Sequence, residues 1–213
     1  MTGDTEDWSR RRETLKLKLC EILVKTGAIR FGEFVLASGK LSPYYIDLRL
    51  IPSFPLAFET LCDFYIDIIE SEIGIDKFDR IASVPVSGLP FGSVVAYKTK
   101  KPFLIVRKGV KTHGREKRVE GLLLPANRVL LLDDLITTGK SLMETVEALR
   151  AEGGIVNYGV VLIDRKEGGT KMLDKMNVKV LALAEIREIV EILRERSILG
   201  EDEYKAIIKQ IVE

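Results

Sequence analysis

Two adjacent carboxylates and a hydroxyl-rich turn lie in the middle of this 213-residue chain. Asp133 and Asp134 directly follow the apolar run VLLL, and the sequence TTGKS (137–141), named here the phosphate turn, begins three residues after Asp134. Free N–H groups at a helix start, with Thr and Ser hydroxyls beside them, bind phosphate, and Gly139 allows the backbone to come close. The carboxylates are placed to bind the hydroxyls of a ribose. The segment therefore predicts a site for a phosphorylated sugar.

Two other structures could account for this segment, a nucleoside triphosphatase P-loop and an ordinary strand-to-helix turn. The letters GKS resemble the end of a nucleoside triphosphatase P-loop, but that motif requires Gly five residues before Gly139, where this chain has Asp134. The P-loop interpretation is therefore excluded. An ordinary strand-to-helix turn in which Asp and Thr act as caps stays open for this segment taken alone.

The elements that would hold this segment follow from hydrophobic periodicity. Apolar spacing predicts an N-terminal helix over 9–26, a small hairpin containing FVLA and YYIDL, and a helix from Pro55 to about Ser71. Helical patterns centred near 94, 145 and 172 then separate continuous apolar runs at 80–84, 103–106, 129–132, 160–163 and 178–183. Such alternation predicts an α/β fold with a mostly parallel sheet flanked by helices and with ligands beyond the carboxyl ends of its strands.

Length and composition indicate one globular domain over 1–213. We expect a small N-terminal hood lobe at about 27–50, a core at about 55–184 and two C-terminal helices within 185–213. The net charge of +1 directs the chain to neither nucleic acid nor membrane, and the N-terminus lacks the apolar core of a signal peptide, so we expect a cytoplasmic protein. Cys20 and Cys62 stand at no metal-ligand spacing and are expected to be reduced thiols.

The segment LLLDDLITTGKS resembles the phosphoribosyl pyrophosphate (PRPP) motif of the type I phosphoribosyltransferases. From about Phe34 to Arg165 the chain is similar to the orotate-specific branch of that family. Four further segments carry the resemblance: FVLASGKLSPYYIDLR (34–49), ASVPVSGLPFG (82–92), RKGVKTHGREKR (107–118) and LIDRKEGG (162–169). The resemblance implies the type I phosphoribosyltransferase fold with its hood lobe.

The first two of these segments imply contacts to the base and to pyrophosphate. In the hood segment, the positions that match the family's pyrimidine cover are Ser38, Gly39, Tyr44 and Tyr45. Ala37 stands where many enteric-type members have Lys, so any charge which that Lys provides must come from elsewhere or is not needed. In the second segment, the positions that match the pyrophosphate loop are Val86, Ser87 and Gly88. Taken alone, each segment also fits a plain hairpin or a plain strand-to-helix turn.

The third and fourth segments imply the charged groups of the reaction. Arg107, Lys108, Lys111 and His113 match the family's mobile loop, which closes over pyrophosphate on the neighbouring subunit's site. A homodimer with loop 108–118 reaching the partner's site is therefore expected. A solvated loop or a nucleic-acid patch is the alternative for such a basic run. Arg165 matches the residue that contacts the orotate edge, and a DR pair at a strand end is otherwise an ion pair or a cap.

The implied reaction transfers the 5-phosphoribosyl group from PRPP to N1 of orotate, through an oxocarbenium-like state, and releases pyrophosphate. The cofactor is Mg²⁺, bound through substrate and water with no direct protein ligand expected, except that Asp133 or Asp134 is a candidate. Lys111, His113, Asp133 and Asp134 are the catalytic candidates, and the residues that bind the 5-phosphate are Thr137, Thr138, Gly139, Lys140 and Ser141. The rivals are a phosphoribosyltransferase for another base and a ligand-sensing regulator with the same fold.

Overall fold

The computed structural model describes residues 2–35, 39, 41–107 and 117–212. The chain divides into two compact units, of which the first combines residues 1–60 with 183–213 and the second comprises residues 61–182. Within the ranges given above, the helices include none that is long and apolar enough to span a membrane.

The second unit is built on a seven-stranded sheet. Its strands are β3 (Arg80–Ser83), β4 (Phe103–Val106), β5 (Val119–Glu120), β6 (Arg128–Leu132), β7 (Leu135–Ile136), β8 (Ile155–Asp164) and β9 (Lys179–Glu185). The order is β5-β4-β3-β6-β8-β7, and β9 also pairs with β8. The pairs β3–β4, β3–β6, β6–β8 and β7–β8 are parallel, whereas β4–β5 is antiparallel. The predicted mostly parallel sheet is confirmed.

The strand order places a topological switch between β3 and β6. From β3 the chain passes through α3 (Gly88–Thr99) to β4 on one side, and it later returns to β6 on the other side of β3. From β6 it continues through α4 (Lys140–Ala151) to β8, and α5 (Gly169–Asp174) follows β8. Ligands of open α/β sheets bind where the strand order reverses, beyond the carboxyl ends. Here that position lies between Ser83 and Leu132, which are register partners.

Continuous apolar strands hold this sheet in place. Four consecutive residues of β6, Val129–Leu132, are buried, and so are the last six of β8. Helices α3 and α4 pack on the sheet, and Val146 and Leu149 of α4 are among the core residues. Burying a Leu or Val side chain contributes about 1.5–3 kcal/mol, so these strand ends are a rigid base for the polar residues that follow them.

The first unit contains a two-stranded sheet and helices. Helix α1 (Thr2–Lys25) precedes the antiparallel hairpin β1 (Ile29–Val35) and β2 (Leu41–Ile46), and α6 (Ile186–Glu195) and α7 (Glu201–Val212) end the chain. A buried Lys16 ammonium joins α1 to α6 because its Nζ lies 2.6 Å from Glu13 Oε1 and 2.7 Å from Glu188 Oε1.

Most predicted elements are confirmed, with three differences in extent and two short strands that were not predicted. Helix α1 begins at Thr2 rather than at residue 9. Helix α2 (Pro55–Glu72) begins at the predicted proline, but β1 begins at Ile29 rather than Phe34. Strand β8 begins five residues before the predicted run. These first residues were not predicted because they do not form a continuous apolar run, and several of them are exposed or half-buried. The two-residue strands β5 and β7 were not predicted, since neither is long enough to produce a periodic pattern.

Candidate active site

The acidic pair lies at the carboxyl end of β6, as the sequence predicted. Asp133 and Asp134 are only 5% and 7% exposed. Asp133 Oδ1 accepts hydrogen bonds from the Asp134 N–H at 3.0 Å and from Ser87 Oγ at 3.3 Å. Asp134 Oδ1 accepts one from the Leu135 N–H at 2.9 Å. These bonds fix the carboxylates against the β3 and β6 loops.

Burial changes the protonation of this pair. It raises the pKa of Asp133 well above its ordinary value, and the neighbouring Asp134 charge raises it further. Burial also raises the pKa of Asp134. Two adjacent buried carboxylates repel each other in a low-dielectric site. The pair is therefore suited to a ligand that brings hydroxyl donors or a cation.

The phosphate turn follows directly and begins α4. Gly139 takes the left-handed conformation (φ 78°) as the N-cap, and no side chain caps the helix at this position. Thr138, Lys140 and Ser141 are exposed, and Thr137 is half-buried. Together with Ser87, residues 133–142 line a pocket of about 190 Å³. The structure thus gathers the acidic pair, the phosphate turn and Ser87 in one concave site.

The predicted pyrophosphate loop lies beside the acidic pair. Val86 is 71% exposed, and Ser87 reaches Asp133 as described above. Gly88 is buried, and its N–H donates to Val84 O at 3.2 Å. A Cβ at Gly88 would lie 2.8 Å from Leu132 O and 2.9 Å from Asp133 Oδ1. Gly88 therefore contributes by close approach to Asp133, while Val86 and Ser87 are the residues nearer to solvent.

Two neighbours of the site were not predicted from the sequence. The fully buried Tyr65 donates its hydroxyl to Asp133 O at 2.7 Å, and burial raises its pKa well above the ordinary value. Gly169 donates its N–H to Thr137 O at 2.9 Å. Tyr65 lies in a helix whose apolar spacing gives no sign of a polar contact, whereas the GG pair at 168–169 is a turn signal from which a close backbone approach could have been predicted.

Arg165 is joined to the PRPP motif through the backbone and does not itself line the pocket. Its N–H donates to Ile136 O at 2.9 Å, and its side chain is 7% exposed. The guanidinium Nε lies 3.1 Å from Glu167 Oε1. The predicted contact with a base edge stays a prediction.

The hood residues lie in the first unit. Gly39 has φ 80°, Tyr44 is 2% exposed, and Tyr45 is half-buried. The Tyr45 ring centroid is 5.7 Å from that of Phe34, and its hydroxyl accepts a hydrogen bond from Arg49 Nη2 at 3.1 Å. Of the two tyrosines, Tyr45 has the more accessible ring. The role predicted for Ser38 falls outside the described residues, as does the substitution at Ala37.

Only the base of the predicted mobile loop is described. Arg107 is half-buried, its Nη1 lies 2.7 Å from Glu120 Oε1, and its N–H donates to Arg118 O at 2.8 Å. These contacts pair the two ends of the basic segment at the β4–β5 edge. The roles predicted for Lys108, Lys111 and His113 fall outside the described residues and stay predictions.

Comparisons with known proteins agree with this geometry. The model of the phosphoribosyl transferase domain family matches residues 56–192. A curated orotate phosphoribosyltransferase of Cenarchaeum symbiosum is 39% identical over 180 residues, which cover 84% of this chain and 90% of that protein. The chain therefore belongs to the phosphoribosyltransferase family.

Solved structures place it more narrowly. The orotate phosphoribosyltransferase of Aeropyrum pernix is 32% identical, with a TM-score of 0.75 over 85% of this chain and 99% of that chain. The UMP synthase of Leishmania donovani is 30% identical, with a TM-score of 0.82 over 92% of this chain and 42% of that chain. Within the family, the chain is thus similar to the orotate phosphoribosyltransferases over most of its length.

Proposed function

We propose that this chain is an orotate phosphoribosyltransferase, which transfers the 5-phosphoribosyl group of PRPP to N1 of orotate. The products are orotidine 5′-monophosphate and pyrophosphate, and the reaction belongs to pyrimidine biosynthesis. The observation that carries the proposal is the pocket in which the buried acidic pair meets the phosphate turn at the switch between β3 and β6. The similarity to orotate phosphoribosyltransferases supports the choice of base.

The acidic pair is proposed to bind the ribose. Carboxylates accept hydrogen bonds from hydroxyl groups, and those of Asp133 and Asp134 are held in place by backbone N–H groups and by Ser87. Holding the sugar in one geometry lowers the entropic part of the barrier. The charge of the pair also stabilises positive charge that develops on the ribose in the transition state.

The phosphate turn is proposed to bind the 5-phosphate. The first-turn N–H groups of a helix can bind an anion, and α4 begins at this turn with no side-chain cap and with Thr138 and Ser141 exposed. Pyrophosphate is proposed to lie at the loop containing Val86 and Ser87, on the other side of the acidic pair. The basic groups of Arg107, Lys108, Lys111 and His113 then stabilise the charge of the leaving pyrophosphate.

The donor set of the pocket fits Mg²⁺. Two adjacent buried carboxyl groups offer the hard oxygen atoms that Mg²⁺ prefers, and a cation beside them would favour the ionised form that burial otherwise disfavours. The ion would be held through substrate oxygens and water, with Asp133 or Asp134 as a candidate ligand, and it would supply positive charge near the leaving pyrophosphate. We propose that turnover requires Mg²⁺, which a chelator titration with Mg²⁺ add-back tests.

Arg165 and Tyr45 are proposed to recognise the base, with Ser38, Gly39 and Tyr44 completing the hood. A guanidinium suits a carboxylated, carbonyl-rich ring because its donors are fixed and permanently charged. A homodimer in which loop 108–118 serves the partner's site is part of the same proposal, and sedimentation equilibrium tests it. The cytoplasmic location stays a prediction.

The experiment is a base panel. The protein is mixed with PRPP and Mg²⁺ and then with orotate, uracil, adenine, guanine or hypoxanthine, and the loss of free base is followed. We expect turnover of orotate alone. Turnover of a purine instead would refute the proposed base, and PRPP binding with no turnover of any base would indicate a regulator.

A further inference from the structure

The turn that joins β8 to α5 supports the phosphate turn through backbone hydrogen bonds. Residues 164–170, named here the 164–170 turn, supply N–H groups to two consecutive carbonyls of the PRPP motif. The Arg165 N–H donates to Ile136 O at 2.9 Å, and the Gly169 N–H donates to Thr137 O at 2.9 Å. The backbones of Gly169 and Gly139 touch, since a Cβ at Gly169 would lie 2.7 Å from Gly139 N. The position of the phosphate turn therefore depends on this neighbour.

The 164–170 turn has a backbone that requires support. Lys166 takes the left-handed conformation at φ 59°, which costs a non-glycine residue free energy, and Gly168 follows at φ 92°. Such conformations persist only where the surroundings fix them. Besides the two backbone hydrogen bonds, a buried side chain supports the turn, namely the carboxylate of Asp164, which is 3% exposed.

Asp164 holds the turn at two points. Its Oδ1 accepts a hydrogen bond from the Lys166 N–H at 2.7 Å, and its Oδ2 accepts one from Thr170 Oγ1 at 3.3 Å. The first bond fixes the left-handed residue, and the second ties the far end of the turn back to the end of β8. Gly169, which contacts the phosphate turn, lies next to Thr170. A displacement of Thr170 would therefore move Gly169, whose N–H is hydrogen-bonded to Thr137 O.

We propose that Thr170, acting through Asp164, is a positioning residue for the bound PRPP. The Thr170 hydroxyl touches no substrate in this account. It holds the 164–170 turn in the arrangement that places the phosphate turn to bind the 5-phosphate of PRPP. The same turn carries Arg165 and its partner Glu167, so it also sets the distance between the phosphate and the base contact. This inference rests on the proposed function for the identity of the ligand.

The test compares Thr170→Val, which removes the hydroxyl and keeps the shape, with Thr170→Ser, which keeps the hydroxyl. Thr99→Val is the matched control because the Thr99 hydroxyl donates to Val95 O at 2.7 Å, within α3 and away from the phosphate turn. Dissociation constants for PRPP are measured by calorimetry without orotate, together with KM, kcat and thermal unfolding for each protein.

We expect Thr170→Val to raise the dissociation constant and KM for PRPP about tenfold, since small displacements of a binding group are costly. Thr170→Ser should restore both values, and Thr99→Val should leave them unchanged. If Thr170→Val lowers the unfolding temperature while PRPP affinity of the folded protein stays at the wild-type value, Thr170 is merely structural and the inference fails. Wild-type protein that binds PRPP but leaves orotate unused would refute the proposed base alone, because the binding comparison does not involve orotate.

Discussion

Replacing Gly169 by Ala should displace the phosphate turn without removing any polar group. The new Cβ would lie 2.4 Å from Thr137 O and 2.6 Å from Ile136 Cγ1, whereas ordinary contacts begin at 3.4 Å. The two segments must therefore separate by about 1 Å, a misplacement that costs up to about 100-fold in rate. Overpacking costs about 1–3 kcal/mol, and loss of the Gly169–Thr137 hydrogen bond adds about 0.5–1.5 kcal/mol.

The assay combines urea unfolding with kcat/KM for PRPP. We expect Gly169→Ala to lose about 1.5–4.5 kcal/mol of unfolding free energy and to fall between tenfold and 100-fold in kcat/KM. Gly200→Ala is the control because its added Cβ meets nothing closer than Glu203 Oε2 at 3.4 Å. If Gly169→Ala matches Gly200→Ala in both measurements, the close approach between the two turns does not determine the site.

Three further predictions concern the groups around the pocket. Burial raises the pKa of Asp133 in the folded protein. Its contribution to the free energy of unfolding is therefore fully present below the unfolded pKa of about 3.9 and is lost as pH rises through the folded pKa. In urea, Asp133→Asn should be more stable than wild type at pH 8 and by a smaller margin at pH 5, and its turnover should be at least about 100-fold slower. Unchanged turnover would remove Asp133 from the mechanism. Tyr65→Phe should lose about 1–3 kcal/mol in urea unfolding because Asp133 O loses its buried donor, and an unaltered midpoint would contradict this. Lys111→Ala should lower kcat about 100-fold, whereas Lys117→Ala, at an exposed position six residues further along the chain, should not. Equal rates for both variants would refute the loop assignment.

The parallel sheet and the acidic pair could be predicted because their signals are local. Val129–Leu132 form a short, continuous apolar run between helical patterns, which is typical of a strand buried on both faces, and Asp133 and Asp134 follow it directly. The adjacency of Ser87 to Asp133 was also accessible, since parallel strands bring their carboxyl ends to one edge. The contact at 3.3 Å agrees with that expectation.

Support from distant segments could not be predicted in the same way. Tyr65 lies in α2 with apolar neighbours, and its hydrogen bond to Asp133 O depends on tertiary packing, which the hydrophobic periodicity of the sequence does not indicate. Strand β7 inside the PRPP motif exists because β8 extends to Asp164 and pairs with Leu135 and Ile136. The role of Gly169 follows from the same extension, since it brings the 164–170 turn under the phosphate turn.

Identification of the products is the direct test of the proposed reaction. The protein is incubated with orotate, PRPP and Mg²⁺, and nucleotide and pyrophosphate are quantified by chromatography and phosphorus NMR. We predict orotidine 5′-monophosphate and pyrophosphate in equal amounts, formed only when both substrates are present. Consumption of PRPP without formation of that nucleotide, or no reaction with orotate at all, would contradict the account.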